Sequence, residues 1–259
     1  LEEKKNYKTW HRFTLDKKIK AMTIATEQAK SKAKIWTDEE FMALPDRSDQ
    51  VRPIAEQRIW LENISWQTFE QLLEDVGDRR STLFHYINGN LEIMSPMALH
   101  ERSNRFIDDL IRVLSDELEI DLCKCGSLLM RIPELKIGAE PDSCYYIQNE
   151  PKIRNQEVIT MGQDPPPDLV LEVDITNPSD RRLPIYAQLQ IPEIWIYNGY
   201  GLEFLGLENG AYLKIEHSLS FPSLPAAVVV EFVQKRFELG DRQTLKEFRL
   251  WVSDNLKKS

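Results

Sequence analysis

No run of apolar residues in the sequence approaches the ~20 that a membrane-crossing helix requires, which argues against a spanning segment. No secretory leader is expected either, since nothing in the first residues, Leu-Glu-Glu-Lys-Lys-Asn-Tyr-Lys, resembles one. Cysteine is scarce. Cys123, Cys125 and Cys144 make no disulfide framework, and Cys-Lys-Cys is too tight for paired zinc ligation. The expectation is reduced thiols, half-buried in strands, in a cytoplasmic protein. Positive charge is also short overall: a formal charge of −9 excludes a protein that grips nucleic acid over its whole surface. The sign is uneven, however. Residues 1–35 hold ten Lys or Arg against four acids, about +6, which leaves about −15 for residues 36–259. A basic arm could touch phosphate, although such arms are more often solvated tails.

What is present suits one sizeable α/β domain with appendages: 259 residues, of which 42% are hydrophobic, can bury a proper core. Met22 looks like a natural start, so residues 1–21 read as an extension and 22–35 as a mobile lead-in. Two similar helix openings follow, at Trp36–Asp46 and from Trp66 to Gly77. Thr37 with Glu40 makes a capping box and Pro45 stops the first. In the second, Trp66, Phe69, Leu72 and Leu73 form an apolar stripe that Gly77 closes. The pattern from Thr82 to Met94 is a hairpin around Asn88-Gly89, the strongest short hairpin signal. A long helix is expected from about Ala98 to Leu118, with Ile107, Ile111, Leu114 and Leu118 inward. His100 continues that stripe, either as a packed helix-start histidine or as a group near a catalytic or metal site.

Strands are expected at Asp121–Ile132 and Glu140–Ile147, then a polar loop over 148–164 long enough for a flap. Ser179 or Asp180 can cap a helix running to Gln190, Ile191–Asn198 is a strand, and Leu202–Leu207 pairs with Ala211–Ile215. Residues 226–238 and 243–256 read as amphipathic helices with Gly240 between them. The division expected is an N-terminal, partly flexible helical extension (1–59), an α/β domain (60–225) and C-terminal helices packed on it (226–259).

The stretch that organises the chain is Pro165 to Thr176. Three prolines cannot donate to a sheet and mark a rigid lead into a short, buried strand of Leu169, Val170, Leu171, Val173 and Ile175. Alternation puts Asp168, Val170, Glu172 and Asp174 on one side. Three carboxylates there repel unless solvated, protonated or bound to a cation. Solvated strand ends account for Asp168 and Asp174 but not for Glu172, which is mid-strand between Leu171 and Val173. Together, Pro141-Asp142 and Glu172-x-Asp174 thirty residues later suit metal-dependent phosphodiester hydrolysis. That chemistry needs a divalent cation to polarise the phosphate and acidify a water, and Mg²⁺ takes hard oxygen ligands.

At these residues the sequence resembles the Uma-type family of restriction-endonuclease-like proteins, abundant in cyanobacteria, a branch of the PD-(D/E)XK nuclease superfamily. The resemblance covers about residues 60–215 and is carried by Asn88 to Pro96, His100, Glu140-Pro141-Asp142, Pro167 to Val173, Arg182 to Ala187, and Pro192 to Trp195. It implies a restriction-endonuclease-like α/β core with a mixed β-sheet flanked by helices. It also implies Asp142 and Glu172 as ligands of Mg²⁺ or Mn²⁺ and His100 near the site. Where the superfamily carries a Lys two residues after the acid, this chain has Asp174, and Arg182 is the basic residue best placed to stand in, as a phosphate contact at a partly exposed helix start. The function implied is a metal-dependent DNA endonuclease, with Asp168 or Asp174 assisting the metal. The alternative is an inactive nuclease-fold module that binds protein or nucleic acid. A homodimer is expected because Trp60, Trp66, Trp195 and Trp251 exceed what one core readily hides and the last helices are amphipathic.

Overall fold

The structure, a computed structural model, describes residues 57–77, 81–96, 98–174 and 181–257. The first of its two sheets contains β1 (Gln57–Leu61), β2 (Leu83–Ile87), β3 (Asn90–Ser95), β5 (Met130–Ile132) and β6 (Ile137–Ala139), in the order β1-β3-β2-β6-β5, all antiparallel. The second contains β4 (Cys123–Gly126), β7 (Ser143–Tyr146), β8 (Leu169–Val173), β9 (Glu193–Tyr197), β10 (Leu202–Glu208) and β11 (Ala211–Ile215), in the order β11-β10-β9-β8-β7-β4. This is the mixed sheet: β8 and β9 run parallel and every other pair is antiparallel. A parallel pair needs a crossover, and the connection between them carries the short helix α4 (Leu183–Gln188).

Local chemistry fixes most of these elements. Ser65 caps α1 (Trp66–Val76), its Oγ accepting from Thr68 N at 3.0 Å. The buried stripe of α1 is Trp66, Phe69 and Leu73, and Phe69 stacks on Tyr86 of β2 at 4.9 Å between ring centroids. Asn88 and Gly89 both have positive φ, 50° and 82°, which is what a two-residue turn matched to the strand twist demands. The long helix α2 (Ala98–Leu118) lays Phe106, Ile107, Leu110, Ile111 and Leu114 over the second sheet. Two C-terminal helices, α5 (Ala226–Leu239) and α6 (Asp241–Asn255), complete that layer, burying Phe232, Phe248 and Val252 against it.

The two faces of β8 have different neighbours. Leu169, Leu171 and Val173 join the core under α2, α5 and α6. Val170 faces the other way, into a cluster with Ile185 and Tyr186 of α4 and Met130, Ile137 and Ala139 of the first sheet. Glu172 alternates with Val170 and so points toward the space between the two sheets.

Several expectations change. The single strand read over Asp121–Ile132 is two strands in different sheets, β4 and β5, and a further strand, β6, follows. The chain leaves the second sheet where Gly126 takes a φ of 59°, just past a bulge between Lys124 and Gly126. An apolar run does not reveal such a change of sheet. The 148–164 loop is partly packed, since it contains α3 (Glu150–Ile153), whose Glu150 and Ile153 are buried. Trp66 and Trp195 are buried in separate clusters, which removes the premise that the tryptophans overfill one core. The helix opening at Trp36–Asp46 and the caps Ser179 and Asp180 lie outside the described residues. Among the described residues no helix is long and apolar enough to cross a membrane.

Candidate active site at the junction of the two sheets

The β7–β8 ladder pairs Ser143 with Leu171 and Cys144 with Val170, so Asp142 stands one step beyond it, opposite Glu172. Asp142 turns its Oδ2 to accept the Val173 backbone N–H at 2.7 Å, which anchors the carboxylate to β8. His100, in the first turn of α2, brings Nε2 to 3.0 Å from the same oxygen. One helical turn on, Asn104 donates to the Asp142 carbonyl at 3.1 Å and accepts from Ser143 Oγ at 3.0 Å. Glu140 secures the approach to Asp142 from the first sheet, with Oε2 accepting Phe84 N at 2.8 Å. A cavity of about 660 Å³ reaches Asp142, with Asn104, Arg105, Glu101, Ser143 and Cys125 among its walls.

Glu172 is fully buried, and both its oxygens are engaged by α4 and the residue before it. Arg182 Nη1 donates to Oε2 at 2.5 Å and the Tyr186 hydroxyl donates to Oε1. The same guanidinium reaches across to the first sheet, where Nε and Nη2 donate to Glu92 of β3 at 3.0 and 3.2 Å. Arg58 of β1 makes a parallel tie, to Glu92 at 3.1 Å and to Asp174 at 3.5 Å. His85 of β2 lies beside Glu92, Nδ1 to Oε2 at 3.5 Å. The two sheets are therefore joined through arginine–carboxylate bridges inside the protein.

Among the described residues, charge within this cluster does not balance: Glu92, Asp142, Glu172 and Asp174 face two guanidiniums, Arg58 and Arg182. Burial pushes the Glu172 carboxyl up to about 8, helped by repulsion from Asp142 and Asp174 and opposed by Arg182 and the Tyr186 hydroxyl. His85 moves the other way, held well below its usual value by burial and then by Arg182 and Arg58. It is a neutral imidazole at neutral pH.

Of the residues singled out from sequence, Asp142, Glu172, Asp174, His100 and Arg182 belong to this network. Asp168 does not join it. Its carboxylate takes the Ile147 and Asn149 N–H groups at 2.7 and 2.9 Å and the Asn149 side chain at 2.7 Å, holding the turn after β7. Arg182 is not the partly exposed helix start expected of it. It is 1% exposed and turned inward on two carboxylates, because the excess buried negative charge needs a permanent cation more than solvent does. Asp174, expected at a solvated strand end, is 5% exposed. Sequence reasoning missed Glu92, Arg58, Tyr186, His85 and Asn104 as members of the site. Glu92 alternates with Leu91 and Ile93, a pattern that reads as the solvated face of a hairpin until a second sheet is known to cover it. Asn104, four residues after His100 on the same helix face, was the more legible signal.

The donors suit a hard divalent cation in kind. Among the described residues Asp142 Oδ1 is buried without a hydrogen-bond partner, and the carboxylate excess there is of the sign a cation would neutralise. Glu172 could join as a second ligand once Arg182 or Tyr186 yields an oxygen. Among the described residues no three His, Cys, Asp or Glu side chains are already grouped as a metal cage.

The Uma2 family, described as "Putative restriction endonuclease", matches residues 66–238. That span includes both sheets except β1 and all of the site except Arg58, and the chain belongs to this family. No curated protein matches it.

Two consequences can be measured. Arg182→Ala leaves Glu92 and Glu172 buried without their shared cation and should destabilise the fold by about 3–5 kcal/mol in urea unfolding; Arg182→Lys should recover little, because an ammonium cannot span both carboxylates as a planar fork does. The raised carboxyl of Glu172 sets the sign of a pH effect. From about pH 4.5, the ordinary value, up to about 8, the folded chain keeps a proton that the unfolded chain has released, so wild-type stability falls through that window. Glu172→Gln should remove that part of the fall. Thermal melts in chelator should give similar values for the two proteins near pH 5 and a variant advantage that grows toward pH 8.

Proposed function

We propose that this member of the Uma2 family is a divalent-metal-dependent endonuclease that hydrolyses DNA phosphodiester bonds in the cytoplasm. The observation that supports it most directly is the buried, unpartnered Asp142 Oδ1 at the wall of a cavity, one step along the ladder from Glu172. Asp142 and Glu172 would hold Mg²⁺ or Mn²⁺, with Asp174 assisting through water. Bound there, the metal would polarise a phosphate oxygen and lower the pKa of an attacking water.

The remaining roles fall to this chain's own residues. His100 and the Val173 N–H fix one oxygen of Asp142 and leave the other directed elsewhere. Asn104 holds the Asp142 main chain, so the ligand is positioned at both side chain and backbone. Arg182, rather than contacting phosphate from solvent, orients Glu172 and stores it in neutralised form until a cation competes for it. Asp168 supports the scaffold. Because Glu172 gives up a proton near pH 8, Mn²⁺ affinity should rise with pH up to about that value, with a proton released on binding.

A second reading has its own support. Both Glu172 oxygens are already satisfied within the protein, as suits a nuclease-fold module that binds protein or nucleic acid without cutting it. One experiment separates the two. The purified chain is incubated with supercoiled plasmid in Mn²⁺, Mg²⁺ or chelator, alongside Asp142→Asn and Glu172→Gln. The endonuclease reading expects nicked or linear product only with metal and at least a ~100-fold loss in each variant, a transition-state loss of about 2.7 kcal/mol. Uncut plasmid together with no calorimetric Mn²⁺ binding favours the binding module, and metal-independent nicking that survives both substitutions overturns the metal-dependent reading.

We further propose a homodimer formed through the C-terminal helices. Phe237 of α5 and Leu250 of α6 are 63% and 59% exposed, more apolar surface than a solvated helix pair needs. Light scattering at micromolar protein should return twice the 30.3 kDa chain mass, and Leu250→Glu should return the single mass.

A further inference from the structure

The three cysteines, expected as separate reduced thiols, lie together on neighbouring strands. Cys123 and Cys125 are both on β4, and Cys144 on β7 pairs with Gly126. In a regular strand, residues two apart are separated by about 6.6 Å along the chain, too far for their side chains to touch end to end without leaning. The bulge between Lys124 and Gly126 bends β4 there and brings Cys123 Sγ to 3.7 Å from Cys125 Sγ. Both thiols are half-buried, while Cys144 is fully buried. Cys125 also lines the cavity that reaches Asp142.

We propose that Cys123 and Cys125 are an oxidisable dithiol beside the Asp142 cavity, which Cys125 lines, closing to a disulfide with a hydroperoxide as oxidant. Cys125 reacts first. Its sulfur attacks one peroxide oxygen, the O–O bond breaks, and Cys125 becomes a sulfenic acid as hydroxide or water leaves. The Cys123 sulfur then attacks the Cys125 sulfur, and the sulfenic oxygen departs as water with the thiol proton. In sum, two thiols and one hydrogen peroxide give one disulfide and two waters, with two electrons passing from sulfur to oxygen. The sulfurs have only to close from 3.7 Å to the ~2.05 Å of a disulfide. The order of events agrees with the electrostatics: a hydrogen bond from Cys144 draws the Cys125 thiol down to about 7, while burial and the neighbouring Cys125 push Cys123 up to about 11. The low-pKa member is the one whose residue lines the cavity.

The test uses the full chain and needs no cleavage activity, so it stands apart from the nuclease reading. Reduced protein is treated with hydrogen peroxide, quenched, unfolded and alkylated. Expected are one alkyl adduct in place of three by intact mass, and three again after dithiothreitol. Trypsin cuts after Lys124, between the two cysteines, so the oxidised protein should yield two peptides that stay joined until reduced. Cys123→Ser should instead accumulate a dimedone-reactive sulfenic acid on Cys125, whereas Cys144→Ser should still form the disulfide. Three adducts after peroxide, a Cys125–Cys144 link, or a Cys123→Ser protein with no dimedone adduct would each overturn the proposal.

Discussion

Arg182 lies between two carboxylates that belong to different sheets, and most of the site's properties depend on that one guanidinium. A buried carboxylate is tolerable only when its charge and its lone pairs are answered locally. Glu92 on β3 and Glu172 on β8 are both buried, and a planar fork of N–H donors answers both at once. Arginine suits the position because it does not deprotonate and its donors are spread across a plane. Packing alone would let the sheets slide over the apolar cluster that holds Val170, Ile185 and Met130. Directional bonds to Glu92 and Glu172 fix their register.

Among the described residues the same arrangement leaves the cluster with more carboxylates than guanidiniums; burial and the neighbouring carboxylates raise the Glu172 carboxyl, while burial and the two arginines depress the His85 imidazole. A site in this condition takes up positive charge readily. A proton on Glu172 is one way, the metal proposed at Asp142 would be another, and the two would compete. That competition links the stability of the fold to the chemistry proposed for it: what makes the metal-free site strained also makes it receptive.

Positioning is divided between elements of unequal rigidity. Asp142 is held from β8 by a backbone N–H and from α2 by His100 and Asn104, all in the layer whose core is the most extensive in the molecule. Glu172 is mid-strand, but its partners Arg182 and Tyr186 come from the six-residue helix α4. Displacing them requires moving a short element rather than the sheet. The thiol pair occupies another irregular place, the bulge of β4, and Cys125 lines the same cavity.

Much of this was legible in the chain. The Asn88-Gly89 hairpin, the stripe of α2, the strand of Leu169 to Val173 and the C-terminal helix pair follow from local rules of turn chemistry and periodicity, and the resemblance named the family. Glu172 stood out because a carboxylate between β-formers contradicts its surroundings, and Asp142 through the Pro141-Asp142 pair thirty residues earlier. What the sequence could not determine is what lies across a gap: that β4 and β5 belong to different sheets, that Glu92 faces inward, and that Arg182 turns away from solvent. Periodicity tells which residues share a face, but not what covers that face. Only the docking of the two sheets made Glu92 a buried charge, and only that burial gave Arg182 two carboxylates to satisfy.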